Sequence, residues 1–358
     1  MYGTLRRLLF ALPPGTAHAV AMAGLGPVEH LAPVRAMVRG AFAVPPDARV
    51  AVSTMGLDFA SPVGLAGGFD KNARRPRALA ALGFGHVELG TVTARAQEAN
   101  PAPNLFRLEK DRALVNRLGF PNEGAAKVAA RVARVKARVG VPVGISIGKS
   151  RVVKADDLDA VVADYVESLE AVREVADFLV VNVSSPNTAG LRAMQAKESA
   201  RSLLGALAPR TGGKPLLVKI APDLDDAALE AVVTAAMEAQ LAGVVATNTT
   251  TARVGLASAT ARIAAAGPGG LSGPPLRDRA VDIVRRVRAM LGKQATVIGV
   301  GGVERAEHAM ALVRAGADLV QMYTGFIYEG PGAPSRIARE LAAMVEREGA
   351  KSLRELRG

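Results

Sequence analysis

The stretch 178-FLVVNVSSPNTAG-190 decides how the rest of the chain is read. Four apolar residues, Phe178 to Val181, give way at once to Asn182, Ser184, Ser185, Asn187 and Thr188, with Pro186 and Gly190 setting a turn. Apolar residues in unbroken succession, rather than in alternation, describe a strand covered on both faces. The polar residues begin where such a strand leaves its sheet. Taken alone, the same residues also read as a loop whose Ser and Asn cap the next helix. Recurrence elsewhere in the chain separates the two readings.

Short apolar runs occur at 63–67, 86–91, 142–148, 177–183, 215–220, 242–247, 296–301 and 318–323. Helix-period segments lie between most of them, at 123–139, 156–172, 225–240 and 304–315. Strands alternating with helices imply right-handed parallel crossovers, and eight such units predict an α/β fold, a (β/α)8 TIM barrel. A doubly wound open sheet would want a dinucleotide-type glycine turn after its first strand, and Gly64-Leu65-Ala66-Gly67-Gly68 has the wrong spacing. Two short strands around Met55-Gly56 read as a hairpin ahead of the barrel. The expected division is a helical extension over 1–40 and a catalytic barrel over 41–358.

In such a barrel the chemistry belongs at the C-terminal ends of the strands. Small or polar residues stand there every time: Gly67, Gly68, Asp70 and Lys71 after the first strand, then Thr91, then Ser146 and Lys149. They are followed by the opening stretch, Lys219, Thr247 to Thr250, Gly301-Gly302, and Tyr323-Thr324. That regularity favours an active site.

Of 358 residues 49% are hydrophobic, ample for a large core. There is no cysteine, which excludes disulfides, thiolate metal sites, cysteine-held iron–sulfur clusters and a cysteine base. The four histidines are dispersed and no carboxylate cluster has ligand spacing, so no metal site is expected. A net charge of +12 raises nucleic-acid binding, but the arginines are scattered and aromatic residues few, so no nucleic-acid partner is expected. An anionic membrane surface suits the charge better.

Residues 1–40 carry Leu5, Leu8, Leu9 and Leu12 at helical spacing beside Arg6 and Arg7, followed by two more apolar-faced pieces. No run is long enough to span a bilayer. A secretory signal is a rival, with Ala17-His18-Ala19 imitating a cleavage site, but the apolar core before Pro13-Pro14 is too short. The expectation is a small helical appendage lying on a membrane or covering a hydrophobic tunnel, with Arg6, Arg7, Arg35 and Arg39 toward headgroups. Simple packing on the barrel is the alternative. The short start, without an Arg/Ser-rich leader, points to peripheral attachment on the cytoplasmic side of a bacterial membrane.

The loops after the last two strands, with Gly273 upstream, offer free backbone N–H groups of the kind that hold a phosphate. With no metal set, that phosphate belongs to an organic cofactor. Lys71 and Lys219 at strand ends suit charge developing on a flavin; rim salt bridges, or a Schiff base at Lys219, are the competing roles. Asn116, Asn182, Asn187 and Asn248 offer paired donors and acceptors suited to a pyrimidine-like ring.

These segments resemble the class 2, quinone-dependent dihydroorotate dehydrogenases almost end to end. They include LAGGFDKN (65–72), ELGTVTARAQ (88–97), NLFRL (104–108), VNRLGFPNEG (115–124), GISIGKS (144–150), LVKIAPDL (217–224), GVVATNTT (243–250), GGLSGPPL (269–276), VIGVGGV (297–303) and VQMYTGF (320–326), beside the opening stretch. The resemblance implies FMN in the barrel, oxidation of dihydroorotate to orotate in pyrimidine biosynthesis, and a membrane quinone as final acceptor. It implies Ser185 as catalytic base, and substrate contacts at Lys71, Asn116, Arg117, Leu118, Gly119, Phe120, Asn182, Asn187, Asn248 and Thr249. Flavin contacts fall on Gly67, Gly68, Thr91, Asn182, Lys219, Thr247, Gly273, Gly302, Tyr323 and Thr324, and the quinone side on His18, Arg107 and Tyr323. Thr188, three residues beyond Ser185, is the candidate proton relay. Ser146 stands where the pattern has an asparagine toward the flavin, and Ser150 replaces another just downstream. The runners-up are a flavin-dependent tRNA uridine reductase, whose family uses a cysteine acid, and a non-catalytic barrel binding a phosphorylated ligand.

Overall fold

The computed structural model describes residues 2–358. Eight parallel strands close into a barrel: β1 (Val63–Leu65), β2 (His86–Val92), β3 (Val143–Ile147), β4 (Phe178–Asn182), β5 (Leu216–Ile220), β6 (Gly243–Ala246), β7 (Thr296–Val300) and β8 (Leu319–Met322). They follow one another around the barrel in chain order, and β8 pairs with β1 to close it. All eight apolar runs therefore become strands, and the helix-period segments become the outer helices Ala125–Ala133, Leu158–Val172, Asp226–Glu238 and Ala306–Arg314. Asp157 and Asp225 cap two of these, each side chain accepting a backbone N–H three residues on.

Strand periodicity sorts the barrel residues. Leu179, Val181, Leu216, Val218, Val244 and Val297 pack against the helices. Phe178, Val180, Leu217, Val245, Ile298 and Leu319 point inward as a separate apolar plug. Phe59 closes that plug from below, carried by the expected hairpin (Val52–Thr54 with Leu57–Phe59). Continuing the inward parity upward, β4 ends on Asn182, β5 reaches Lys219, and β6 leads to Thr247. The same alternation that fills the lower barrel with hydrocarbon lines the upper barrel with amides, hydroxyls and an ammonium.

Over the upper face lies a three-stranded antiparallel sheet, Leu105–Leu108, Ala113–Asn116 and Gly270–Ser272, which the sequence reading did not anticipate. Its core is Leu108, Ala113, Val115, Ala266 and Leu271. It carries Asn116 and the turn 117–120 to the barrel mouth.

The N-terminal region forms α1 (Tyr2–Ala11), α2 (Pro14–Gly24), α3 (Gly26–His30) and α4 (Ala32–Phe42). Proline opens α2, α3 and α4, where its missing N–H costs nothing. Val28 packs on Ala78 and Ala81 of the helix after β1. The buried Glu29 carboxylate accepts from Arg77 Nε at 2.8 Å and from the Ala78 N–H at 2.9 Å. Leu5, Leu8, Val20, Leu31 and Met37 remain exposed. Among the described residues no helix is long and apolar enough to cross a membrane.

Candidate active site

A cavity above the apolar plug encloses about 1060 Å³ of empty space, the solvent at its mouth included. It is lined at one end by Lys71, Asn116, Leu118, Gly119, Phe120, Ser185, Asn187, Asn248 and Thr249. Gly67, Gly68, Thr91, Asn182, Lys219, Thr247, Gly273, Gly302, Tyr323 and Thr324 line the rest. Residues from every strand end except β3 thus meet in one site.

Two chains of hydrogen bonds fix the four amides. Asn187 Nδ2 donates to Asn116 Oδ1 at 3.0 Å, linking the loop after β4 to the overlying sheet. Asn248 Nδ2 donates to Ser184 Oγ at 3.0 Å and Asn182 Oδ1 at 3.3 Å. Asn182 Nδ2 donates to Thr91 Oγ1 at 3.0 Å, which meets Ser146 Oγ at 2.9 Å. Each amide keeps part of its hydrogen-bonding capacity for the cavity.

Ser185 is almost wholly buried, and its Oγ accepts the Asn187 N–H at 3.2 Å. Three residues on, Thr188 Oγ1 is buried and has no partner among the described residues. Lys71 Nζ donates to Gly68 O at 2.6 Å. Burial pushes its ammonium down to about 8, against the opposing charge of Asp70. Asp70 is itself occupied, accepting the N–H groups of Arg74 and Arg75 at 2.8 and 2.7 Å. The lysine therefore faces the cavity with no carboxylate bonded to it.

At the other end, Gly302 has φ +67° and a Cβ there would come within 2.8 Å of Arg277 Cβ, so a side chain is excluded. The N–H groups of Gly302 and Val303 donate to no other protein group among the described residues. Gly273 (φ +103°) opposes them, and Ser272 Oγ and Thr324 Oγ1 meet at 2.8 Å beside them. This cradle of free N–H groups and hydroxyls fits a phosphate.

A profile of the family described as dihydroorotate dehydrogenase matches residues 49–345. The chain belongs to the dihydroorotate dehydrogenase family. It is 49% identical to the dihydroorotate dehydrogenase (quinone) of Thermobifida fusca over 350 residues, covering 96% of this chain and 92% of that one. The protein of the same name from Rhodococcus opacus is 48% identical over all of this chain and 99% of its own length. That from Mycobacterium tuberculosis is 47% identical over all of this chain and 98% of its own. The ligand-free crystal structure of DHODH from Eimeria tenella superposes with a TM-score of 0.86 at 33% identity, covering 96% and 98% of the two chains. The resemblance read from the sequence and the TIM-barrel expectation are both borne out, and the chain is an oxidoreductase of this family.

Five of the candidate site residues do not line the cavity. The Arg117 guanidinium turns away to the carbonyls of Pro103 and Ala266 and stacks over Phe106. Ser146, fully buried, sits behind Thr91 rather than on the cavity wall. Thr188 is absent from the cavity wall, its hydroxyl buried without a partner among the described residues. Arg107 donates to Leu12 O at 2.8 Å and Phe10 O at 3.1 Å, satisfying carbonyls at the end of α1. His18 packs edge-on against Phe69, 5.1 Å between centroids, and Phe69 in turn against Tyr323. Burial, with Lys71 nearby, pushes the His18 imidazole down to about 4. An aromatic path, His18 to Phe69 to Tyr323, thus runs from the N-terminal helices to the cavity wall. Sequence reasoning missed Glu88 and Gln321, which underlie Lys219. Their signal was the inward parity of His86 and Glu88 within a strand read as uniformly apolar.

Proposed function

We propose that the chain oxidises dihydroorotate to orotate with FMN and passes the electrons to a membrane quinone. The observation that carries this reading is the cavity's division into an amide- and hydroxyl-lined pocket with Lys71 at one end and a glycine-walled phosphate cradle at the other. The residues fit FMN: the Gly273, Gly302 and Thr324 cradle for its phosphate, Thr91, Asn182 and Lys219 for its ring. When bound, FMN supplies the two-electron acceptor for the hydrogen leaving C6 of the substrate.

Lys71 holds the substrate carboxylate, and the amides of Asn116, Asn182, Asn187 and Asn248 orient the ring. Ser185 Oγ takes the C5 proton. A serine hydroxyl is a weak base, so it must release its own proton as it accepts one. The unpartnered hydroxyl of Thr188 supplies the next acceptor, through water. Pro186 to Gly190, with Ala189 and Gly190 exposed at the rim, would close over the substrate and exclude water.

The N-terminal helices would serve the quinone side, with His18, Arg107 and Tyr323 along the approach. Their exposed leucines, with Arg7 and Arg39, suit peripheral contact with an anionic membrane surface on the cytoplasmic side of a bacterial membrane, whereas Arg6 and Arg35 are turned instead to the carbonyls of Tyr328 and of Val28 and Glu29. The test is a visible spectrum of the purified protein before and after anaerobic dihydroorotate. Flavin bands that bleach support the reading. Bands unchanged by the substrate, or a protein that cannot be loaded with FMN, refute it.

A further inference from the structure

We propose that Glu88 is a positioning residue for Lys219, and that its carboxylate lowers the reduction potential of the flavin bound above that lysine. The proposal rests on the flavin reading of the cavity.

A column of buried polar residues rises through the barrel to the cavity floor. His86, Glu88 and Gln321 are fully buried, and Lys219 nearly so. Glu88 Oε1 lies 3.4 Å from Lys219 Nζ, and Glu88 Oε2 accepts from Gln321 Nε2 at 2.8 Å. Gln321 Nε2 also comes within 3.4 Å of the His86 ring. A carboxylate in such a place must be paired and hydrogen-bonded to remain there. Lys219 has no other hydrogen-bond partner among the described residues, so its remaining donors are left for the cavity it lines.

Glu88 does not line the cavity. Its Oε1 lies under Gly67, where a Cβ would approach it to 2.2 Å, so the backbone separates the carboxylate from any ligand. Glu88 therefore touches no ligand itself and acts through the groups it holds, Lys219 above all. Two consequences follow from simple electrostatics. The carboxylate fixes the ammonium under the cavity floor, and it also cancels part of that ammonium's field above the floor. Negative charge arriving on a ligand ring by reduction meets Lys219 already shared with Glu88. An unshared lysine would stabilise that charge more strongly. The pair thus lets Lys219 favour the reduced ring while leaving it able to reduce a further acceptor.

The test measures the midpoint potential of bound FMN by anaerobic titration against reference dyes, using full-length protein loaded with FMN. A charge a few ångströms from a ligand changes its equilibria by roughly tenfold or more. Glu88→Gln is expected to raise the affinity for reduced over oxidised FMN at least about tenfold, a positive shift of about 30 mV for a two-electron couple. Glu88→Asp, which keeps the charge, stays closer to the parent. An unchanged or lower potential in the glutamine variant overturns the proposal, since filling space alone predicts no shift. Should that variant lose FMN, Glu88→Asp is titrated alone: drawing the charge back from Lys219 is expected to raise the potential by less than the glutamine change does, and a potential at or below the parent's overturns the proposal. A wild-type chain that takes up no FMN removes the flavin reading itself, and the proposal with it.

Discussion

Raising the pH should discharge Lys71 and loosen the grip on an anionic ligand. Burial holds this ammonium at about 8, well below its ordinary value, and Asp70 is spent on the backbone of Arg74 and Arg75. If a carboxylate ligand binds only the charged form, its apparent Kd scales as one plus ten to the power of pH minus pKa. That gives a plateau below pH 7, a rise of about twofold at pH 8 and about elevenfold at pH 9. The bound carboxylate draws the lysine back to its charged state, so binding at pH 9 should take up about 0.9 proton per ligand. Calorimetric titration of FMN-loaded protein with orotate, in buffers of different ionisation heat, reads affinity and proton uptake together. Lys71→Arg stays charged throughout, so its profile should be flat apart from the ligand's own titration. A wild-type profile that matches the arginine variant, or no proton uptake at pH 9, refutes the assignment of Lys71 as the carboxylate holder.

Ser185→Ala should slow dihydroorotate-driven bleaching of the flavin by about a hundredfold or more with FMN retained, and stopped-flow rates near wild type would remove the serine from the mechanism. Deleting residues 1–40 should abolish quinone turnover while dihydroorotate still bleaches the flavin; unchanged quinone kinetics would reduce α1 to α4 to packing. Glu29→Gln strands the buried Arg77 guanidinium and should weaken docking of the N-terminal helices by about 3–5 kcal/mol, read as faster proteolytic removal of that region. His86 is buried without a charged partner and pushed down to about 3. The folded state thus binds fewer protons than the unfolded one between about pH 6.5 and 3. Stability present above 6.5 is lost as pH falls through that window, by about 5 kcal/mol at most from this residue. Urea unfolding at pH 7 and pH 4 measures it, and equal stabilities would contradict the buried, neutral imidazole.

The barrel was legible because strands buried on both faces must be apolar without a break, and eight of them stood out from helix-period surroundings. The overlying sheet was not. Its strands are three and four residues long, and Gly270–Ser272 comes from far downstream to pair with Ala113–Asn116. Such pairing is decided by tertiary contact rather than by local pattern. Arg107 likewise carries no sequence signal for its place, because the carbonyls it satisfies belong to a helix end nearly a hundred residues earlier.

Within the barrel the finer assignment rests on parity. Going up β4 the inward residues are Phe178, Val180 and Asn182; up β5, Leu217 and Lys219; up β6, Val245 and then Thr247. Apolar filling gives way to polar lining at one height on these strands, and the cavity floor lies there. On β2 and β8 the change comes one layer lower, at His86, Glu88 and Gln321, which places His86 and Glu88 beneath the floor while Gln321 reaches the cavity wall. Parity also separates two lysines that sequence position alone treats alike. Lys219 falls on an inward position and lines the cavity. Lys149 follows β3 on the outward parity of Val143, Ile145 and Ile147, and its ammonium is bound by the carbonyls of Ser150 and Val153. A polar residue at a strand end marks the mouth of a barrel, but only its register with the apolar plug below says whether it faces a ligand, and that register is fixed by residues such as Phe178 and Leu217 that take no part in the chemistry.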